Sequence, residues 1–443
     1  MRAKAVGVMV VFGLASLAHA GPDTVTYQGS LLNPLGGPVT NGTYQMQFKI
    51  LDAATAGTNR WQETDNVQVT RGLFATTLGD NMPLGGLFTT YPDLWLEVTA
   101  DVDRSGTFQA DEVFSPRQNI AGVPWACPRL EPHNASPNLI GGFSGNWVTS
   151  GVIGATIAGG GEGGVDVNHV SDDHGTVSGG LRNTAGDDGG DFRDARNATV
   201  GGGLYNLAGA RGATIAGGEL NRAMQQYATA GGGYSNIAAS SFAVIAGGYC
   251  NFTTDSSTAV IGGGEGNLTS GSPYATISGG RWNENGAWYS TIPGGLEAKT
   301  THWGQMAHAS GSFSAAGDAQ FSLYTMRKKT PGATPQRLTM GGAVDRPLMV
   351  AEGRTLAFDI LVVARSDAGQ SGAATFMGVV ENQGGTTSLI GPVVGALLGM
   401  DDPAWHASVV ANDVEDTLDI VVTGVASTNI RWVAVVRTAE VAW

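Results

Sequence analysis

The chain has 443 residues, 68 of them glycine, about twice the usual share, and only 14% are charged against about 25% in typical soluble domains. Such length exceeds one ordinary domain, the glycine content excludes a helical protein, and a hydrophobic share of 42% excludes a largely disordered chain. A formal net charge of −14 excludes a protein that coats nucleic acid.

Residues 1–20 read as a signal peptide. Arg2 and Lys4 give a charged start, 5–17 an apolar run, and Ala18, His19 and Ala20 a small-x-small cleavage site before Gly21. The run falls short of the about 20 residues a spanning helix needs. No later segment is long and apolar enough to cross, so the mature chain is expected to lack a transmembrane segment and to be secreted or held at the cell surface. Two cysteines, Cys127 and Cys250, do not make a disulfide framework and are expected to be buried or incidental thiols.

Residues 21–126 alternate apolar and polar side chains over 25–28, 44–50, 67–70, 73–78 and 94–98, with glycine-marked hairpins, which predicts a small antiparallel β-sandwich. The most specific chemical signal lies within it. Asp101, Asp103, Ser105, Gln109 and Glu112 place side-chain oxygens at positions 1, 3, 5, 9 and 12 of a loop, Gly106 takes the sharp turn at position 6, and Thr107 offers its carbonyl at position 7. This is the ligand spacing of an EF-hand-type calcium loop without evident helices. Ca2+ is therefore the expected cofactor; the other reading of the segment is an acidic hairpin between Val98 and Val113.

Residues 127–136, with Pro128 and Pro132, form a linker that cannot be helical. A repeat follows over 137–320. Copies of a Thr-Ile or Thr-Val pair ending in Gly-Gly start at Ala155, Gly175, Ala198, Ala213, Ala228, Ala243, Ala259, Ala275 and Ser290, after a poorer copy at Pro137; from Ala198 the steps are 15, 15, 15, 16, 16 and 15 residues. A period this short has room for one or two short strands and two turns, so each copy is one coil of a parallel β-roll or β-helix. The Ile or Val side chain should point inward and the Gly-Gly pair supply positive φ. Asn183, Asn206, Asn221, Asn236, Asn251, Asn267 and Asn283 recur three residues after the second glycine, where a left-handed turn stacked from coil to coil is expected. Ala185, Ala208, Ala223 and Ala238 are small enough to let neighbouring rolls approach closely. The spacing loosens early, around residues 166–194, where Asp172, Asp173, His174, Asp187, Asp188, Asp191 and Asp194 read as solvated acidic insertions rather than a cation or acid/base site.

The array over 137–320 resembles the head repeats of trimeric autotransporter adhesins, whose coils assemble as a three-fold bundle of β-rolls; 306–311 and 315–319 resemble their closing copies. That resemblance implies a homotrimer, and the narrow aliphatic core of a thin roll points the same way. No heptad stalk is present, and the strand ending at Trp443 is expected to be an ordinary last strand. The segments 27–44 and 116–126 resemble an N-terminal module of secreted bacterial proteins.

From 321 to 443 the glycine repeat stops, and strands over 356–364, 375–380, 407–411, 418–423 and 430–436 predict a second β-sandwich or jelly roll. Here 317–327 and 430–437 resemble C-terminal domains of phage tail-fibre proteins. The whole chain is thus expected to be all-β, an exported trimeric fibre-like adhesive protein with the roll as spacer and a terminal domain contacting a glycan or surface protein. The competing expectation is a polysaccharide depolymerase or lyase with a trimeric β-helical body, and a third is a calcium-binding matrix component. No catalytic residue is assigned: Gly142 to Gly145 lack the spacing of a nucleophile elbow, and His302, His308 and His406 have no paired acid or cysteine along the chain.

Overall fold

The computed structural model describes residues 24–33, 36–85, 87, 91, 93–120, 129–342 and 345–443. The signal-peptide expectation and Cys127 lie outside these residues. The architecture is all-β, in two compact units whose boundary falls between Pro132 and His133.

Residues 25–119 of the N-terminal unit form one six-stranded antiparallel sheet, in the order Val25–Ser30, Leu73–Leu78, Asn59–Thr70, Gly42–Leu51, Trp95–Ala100, Gln118–Asn119. Alternation decides its faces: Tyr44, Met46, Phe48 and Ile50 are buried while Gln45 is exposed, as period-two side chains require. The long central hairpin, pairing Thr43 with Gln68 through Ile50 with Trp61, carries the pattern into the core formed with Tyr27, Val69 and Leu96.

The second unit opens with a parallel β-solenoid. Each coil contributes a Thr-Ile-type strand to one parallel stack and a second strand just after the asparagine to another, ten-stranded, stack. Residues such as Leu204, Glu219, Tyr234 and Tyr249 bridge between coils as a third ladder. Register is kept coil to coil, Thr199 on Thr214 on Thr229, because strand N–H groups of one coil donate to carbonyls of the next, as Thr214 N to Ala228 O at 2.9 Å. The expected inward positions are inside: Ile157, Val177, Val200, Ile215, Ile245, Ile261, Ile277 and Ile292 are all 0% exposed. Each such burial is worth about 1.5–3 kcal/mol.

The asparagines do more than turn the chain. Asn221 Nδ2 donates to Gly217 O, Gly233 O and Asn206 Oδ1 at 3.0, 3.0 and 3.2 Å, while its Oδ1 accepts from the N–H and Nδ2 of Asn236 at 3.0 and 3.1 Å. The ladder runs from Asn146 and Asn168 through the expected seven to Asn283, every member at most 1% exposed. The left-handed residue is the one before the asparagine, Tyr205 (φ 58°), Leu220 (φ 58°) or Trp282 (φ 53°), which differs from the expectation. An asparagine bonding three carbonyls along the axis must itself point inward, so the strain of the corner moves one residue back. Glycine at the end of the pair is obligatory for a separate reason: a Cβ on Gly233 (φ 84°) would lie 2.1 Å from Gly248 O.

One further expectation is corrected. Ala185, Ala208, Ala223 and Ala238 are 0% exposed inside their own coils, so they fill a thin core and leave no small-residue surface for a neighbouring roll. The core also changes character along the axis, the same position becoming Thr253, Thr269, Asn285 and Thr300, beside a buried file of Ser256, Ser272 and Ser290. Cys250 is an exposed, free thiol at a left-handed corner (φ 54°), neither buried nor bridged.

The last coil strand, Met306–His308, pairs antiparallel with the start of Ala319–Thr330, so the solenoid runs without a break into the C-terminal sandwich. There Ile430–Ala442 lies between Ala319–Thr330 and Arg354–Ser366, followed by Ser371–Gln383. A smaller sheet centred on Thr417–Thr423 shares the apolar core with it, through Tyr324, Ile360, Val362, Ile420 and Trp432.

Candidate functional site

The segment 101–112 folds as a closed loop. It leaves the strand Trp95–Ala100, turns through Arg104 (φ 57°) and Gly106 (φ 81°), and ends in the single 3-10 turn Ala110–Glu112, which stands where an EF-hand would start a helix. Asp101 and Glu112 are buried to 4% and 7% exposure, and Asp103 is exposed. Asp101, Asp103 and Glu112 each bring a carboxylate oxygen within 4.8 Å of the others. Backbone donors hold them: Asp101 accepts from Ser105 N and Gly106 N at 2.9 and 2.8 Å, and Glu112 from Val102 N and Gln109 N at 2.8 and 2.9 Å. The Ser105 hydroxyl and N–H hold the Asp103 carboxyl below its ordinary range. The other three expected ligands are less aligned. Ser105 Oγ bonds the Thr107 carbonyl at 3.2 Å, and Gln109 turns its amide Nε2 to Asp103 Oδ2 at 3.1 Å. Three hard oxygen donors thus converge, which suits Ca2+ with further oxygens from carbonyls and water.

The acidic insertions are solvated at His174, Asp187, Asp188, Asp191 and Asp194, which are exposed, but not at Asp172 and Asp173. Asp172 is 1% exposed and Asp173 7%, and they organise the insertions from within. Asp172 Oδ2 accepts from Ser171 Oγ and Asp187 N at 3.0 and 3.1 Å, and Asp173 Oδ1 from Ile153 N at 3.0 Å. Burial pushes the Asp172 carboxyl above its ordinary value. Beside them His169 stacks on Trp147 with ring centroids 3.7 Å apart, bonds Thr149 Oγ1 at 2.9 Å and has Asp188 at 3.6 Å. Burial pushes its imidazole below the ordinary value, against the pull of Asp188.

A third site joins residues far apart in the chain. Where the solenoid meets the sandwich, a cleft of about 220 Å³ is lined by Thr301, His302, Tyr324, Met349, Arg354 and Glu440, among others. Glu440 Oε1 accepts from Tyr324 OH and Thr438 Oγ1 at 3.0 and 2.7 Å, and Oε2 from Arg354 at 2.6 Å. Gln305 Nε2 reaches both Ser322 Oγ and Tyr324 OH, linking the cleft to the last coil. Burial and the Glu440 charge push the Tyr324 hydroxyl far up, so it is a donor and no base, and burial pushes the His302 imidazole down. His302 Nε2 is shared with Met349 O at 3.1 Å. No sequence signal marks this cluster, since its members come from the last coil and from four strands of the sandwich; only strand pairing brings Tyr324 opposite Val436 and Glu440 opposite Leu356.

Comparison with known proteins adds the following. Residues 26–117 match a family model described as a domain of unknown function, DUF8740. No curated protein matches the chain. Among solved structures the chain is similar to the tailspike protein gp49 of Acinetobacter baumannii bacteriophage Fri1, a capsular polysaccharide depolymerase, at 10% identity and a TM-score of 0.18, covering 64% of this chain and 54% of that one. It is also similar to the tailspike protein of Acinetobacter phage vB_ApiP_P1, at 10% identity and a TM-score of 0.15, covering 65% and 67%. The chain thus spans about half the length of the Fri1 tailspike.

Proposed function

We propose that the protein is an exported, fibre-like structural and adhesive protein, with the solenoid as a stiff spacer and the C-terminal sandwich as the ligand-contacting domain. The observation that carries this reading is the unbroken ladder from Asn138–Ile140 to Met306–His308 and on into Ala319–Thr330. A rod whose every coil is locked to the next by backbone and asparagine bonds transmits position rather than motion. Incubation with a polysaccharide panel tests it: saturable binding without release of reducing ends is expected, and turnover would sink it.

The reading includes a homotrimer. With the alanines inside the coils, its support comes from apolar side chains left outside. An aromatic column of Tyr227 on Phe242 and Tyr274 on Tyr289 stands exposed on the solenoid. Light scattering should give three times the chain mass; a folded monomer at micromolar concentration would refute it. The reading also includes one Ca2+ per chain, held by Asp101, Asp103 and Glu112 with Ser105, Thr107 and Gln109 completing the loop.

A depolymerase is the second reading, favoured by the cleft that sets His302, Tyr324, Arg354 and Glu440 together. It predicts unsaturated or reducing sugar ends released by the parent chain and lost in His302→Ala.

A further inference from the structure

The large C-terminal sheet carries a concentration of positive charge at odds with the rest of the chain. Antiparallel pairing sets Lys329 opposite Arg431, and Arg431 opposite Arg365, on three neighbouring strands. All three are exposed and face the same way, and Arg327 follows two residues along the first strand on the same face. Like charges placed directly opposite each other destabilise a sheet. Yet among the described residues none of these four cations, nor the neighbouring Lys328, stands in an ion pair, in a protein of net charge −14. Two carboxylates lie nearby and pair with neutral donors, Asp367 at the groove accepting from Asn429 Nδ2 at 2.9 Å and Asp401 from Ser371 N at 2.7 Å.

The charges line two adjoining grooves that share Lys329 and Arg431. One, about 540 Å³, is bounded by Arg327, Lys328, Gly341, Gly342 and Val433. The other, about 310 Å³, is bounded by Arg365, Ser366, Asp367 and Asn429. Arg327 is held in place on both sides. Its backbone bridges Thr339, and Gly342 closes against its side chain so tightly that a Cβ there would lie 2.7 Å from Nε. The corner sits at the end of Ala319–Thr330 away from the coil pairing, six residues or about 20 Å beyond Leu323.

We propose that this corner binds an acidic glycan chain, its cations meeting the carboxylates of uronate-type sugars or the chemically equivalent sulfates. The proposal rests on the adhesive reading above and names its ligand class. Guanidinium forks at Arg327, Arg365 and Arg431 match planar carboxylates bidentately. Adjacent strands space Lys329, Arg431 and Arg365 about 4.8 Å apart, a row suited to repeating anions. A polysaccharide fits better than nucleic acid, because among the described residues the one aromatic ring at the grooves, Trp432, is 1% exposed and cannot stack a base.

The test measures binding of the full chain to oligogalacturonate, dextran sulfate, neutral dextran and duplex DNA. Oligogalacturonate or dextran sulfate should bind, and the tighter of the two identifies the anion. Affinity should fall at least about ten-fold in the double variant Lys329→Gln, Arg431→Gln, and stay unchanged in Arg222→Gln on the solenoid. Should the double variant misfold by circular dichroism, the parent decides: raising salt from about 0.1 M to about 1 M must weaken binding by a similar factor. Equal binding of neutral dextran, binding of DNA as tight as that of the acidic glycans, or salt-insensitive binding would overturn the assignment. Glycan bound at full strength by a folded double variant would overturn the corner and leave the adhesive reading standing, whereas glycan cleavage with corner-dependent binding would do the reverse.

Discussion

The solenoid and the C-terminal sandwich are joined by hydrogen bonds but built on opposite principles. In the solenoid almost every contact lies one coil away, and much of the interior is polar, an asparagine ladder beside a single file of aliphatic side chains. In the sandwich the central strand Ile430–Ala442 pairs with Ala319–Thr330 and Arg354–Ser366, and large apolar residues such as Trp432 and Tyr324 fill a two-layer core. The solenoid is therefore held chiefly by satisfied polar groups, whose loss is costly because the partners stay buried, and the sandwich chiefly by apolar area. This difference also separates the roles: the ladder fixes a spacer, and the sheet, free to vary its outer face, carries the basic corner.

Ile245→Asp should show the largest effect. It places a charge at a 0% exposed position between Ala230 and Ile261, costing about 4 kcal/mol or more and melting several coils together. An unchanged transition by circular dichroism would mean that the file of Ile side chains does not hold the coils. Asn236→Ala tests the polar half of the contrast. It removes the bonds to Gly232 O, Gly248 O and Asn221 Oδ1 and strands the Asn251 N–H, with an expected loss of about 2–4 kcal/mol. Val436→Ala in the sandwich, a purely apolar truncation, should cost about 1–3 kcal/mol and leave the solenoid transition in place. If the two substitutions moved one common transition equally, the two regions would be a single cooperative unit and the contrast would fail.

Calcium should act on the N-terminal unit alone. Free Ca2+ about ten- to a hundred-fold above its dissociation constant should stabilise that unit by about 1–3 kcal/mol, and Glu112→Gln should remove most of the gain. No calorimetric heat at millimolar calcium, with the melting temperature unmoved by chelation, would reduce the loop to an acidic turn. The smallest expected effect is with pH. His169 and His302 are both shifted below the ordinary 6.5 by burial, so the unfolded chain takes up protons first and stability is lost as pH falls through and below that value. His302→Gln should flatten the dependence at the junction, His169→Gln at the early coils; a melting temperature constant from neutral pH down to the carboxylate range would contradict both.

Sequence alone determined the parts whose information is local. The period of the Gly-Gly pairs, the inward Ile and Val positions, the ladder from Asn183 to Asn283 and the convergence of Asp101, Asp103 and Glu112 all follow from spacing within one coil or one loop. Asn146 and Asn168 escaped because insertions stretch their distance from the preceding glycine pair, and Asp172 read as solvated because its burial depends on how those insertions fold back. Only the tertiary structure decided what lies between distant segments: the polar interior that leads through Gln305 to Glu440, the junction cleft, and the row of Lys329, Arg431 and Arg365. Those residues are unremarkable where they stand in the chain, and pairing of strands far apart in sequence is what sets like charges side by side. The physical reason is that a solenoid writes its contacts in its own period, whereas a sandwich forms them across the chain, where no local pattern can record which neighbours will meet.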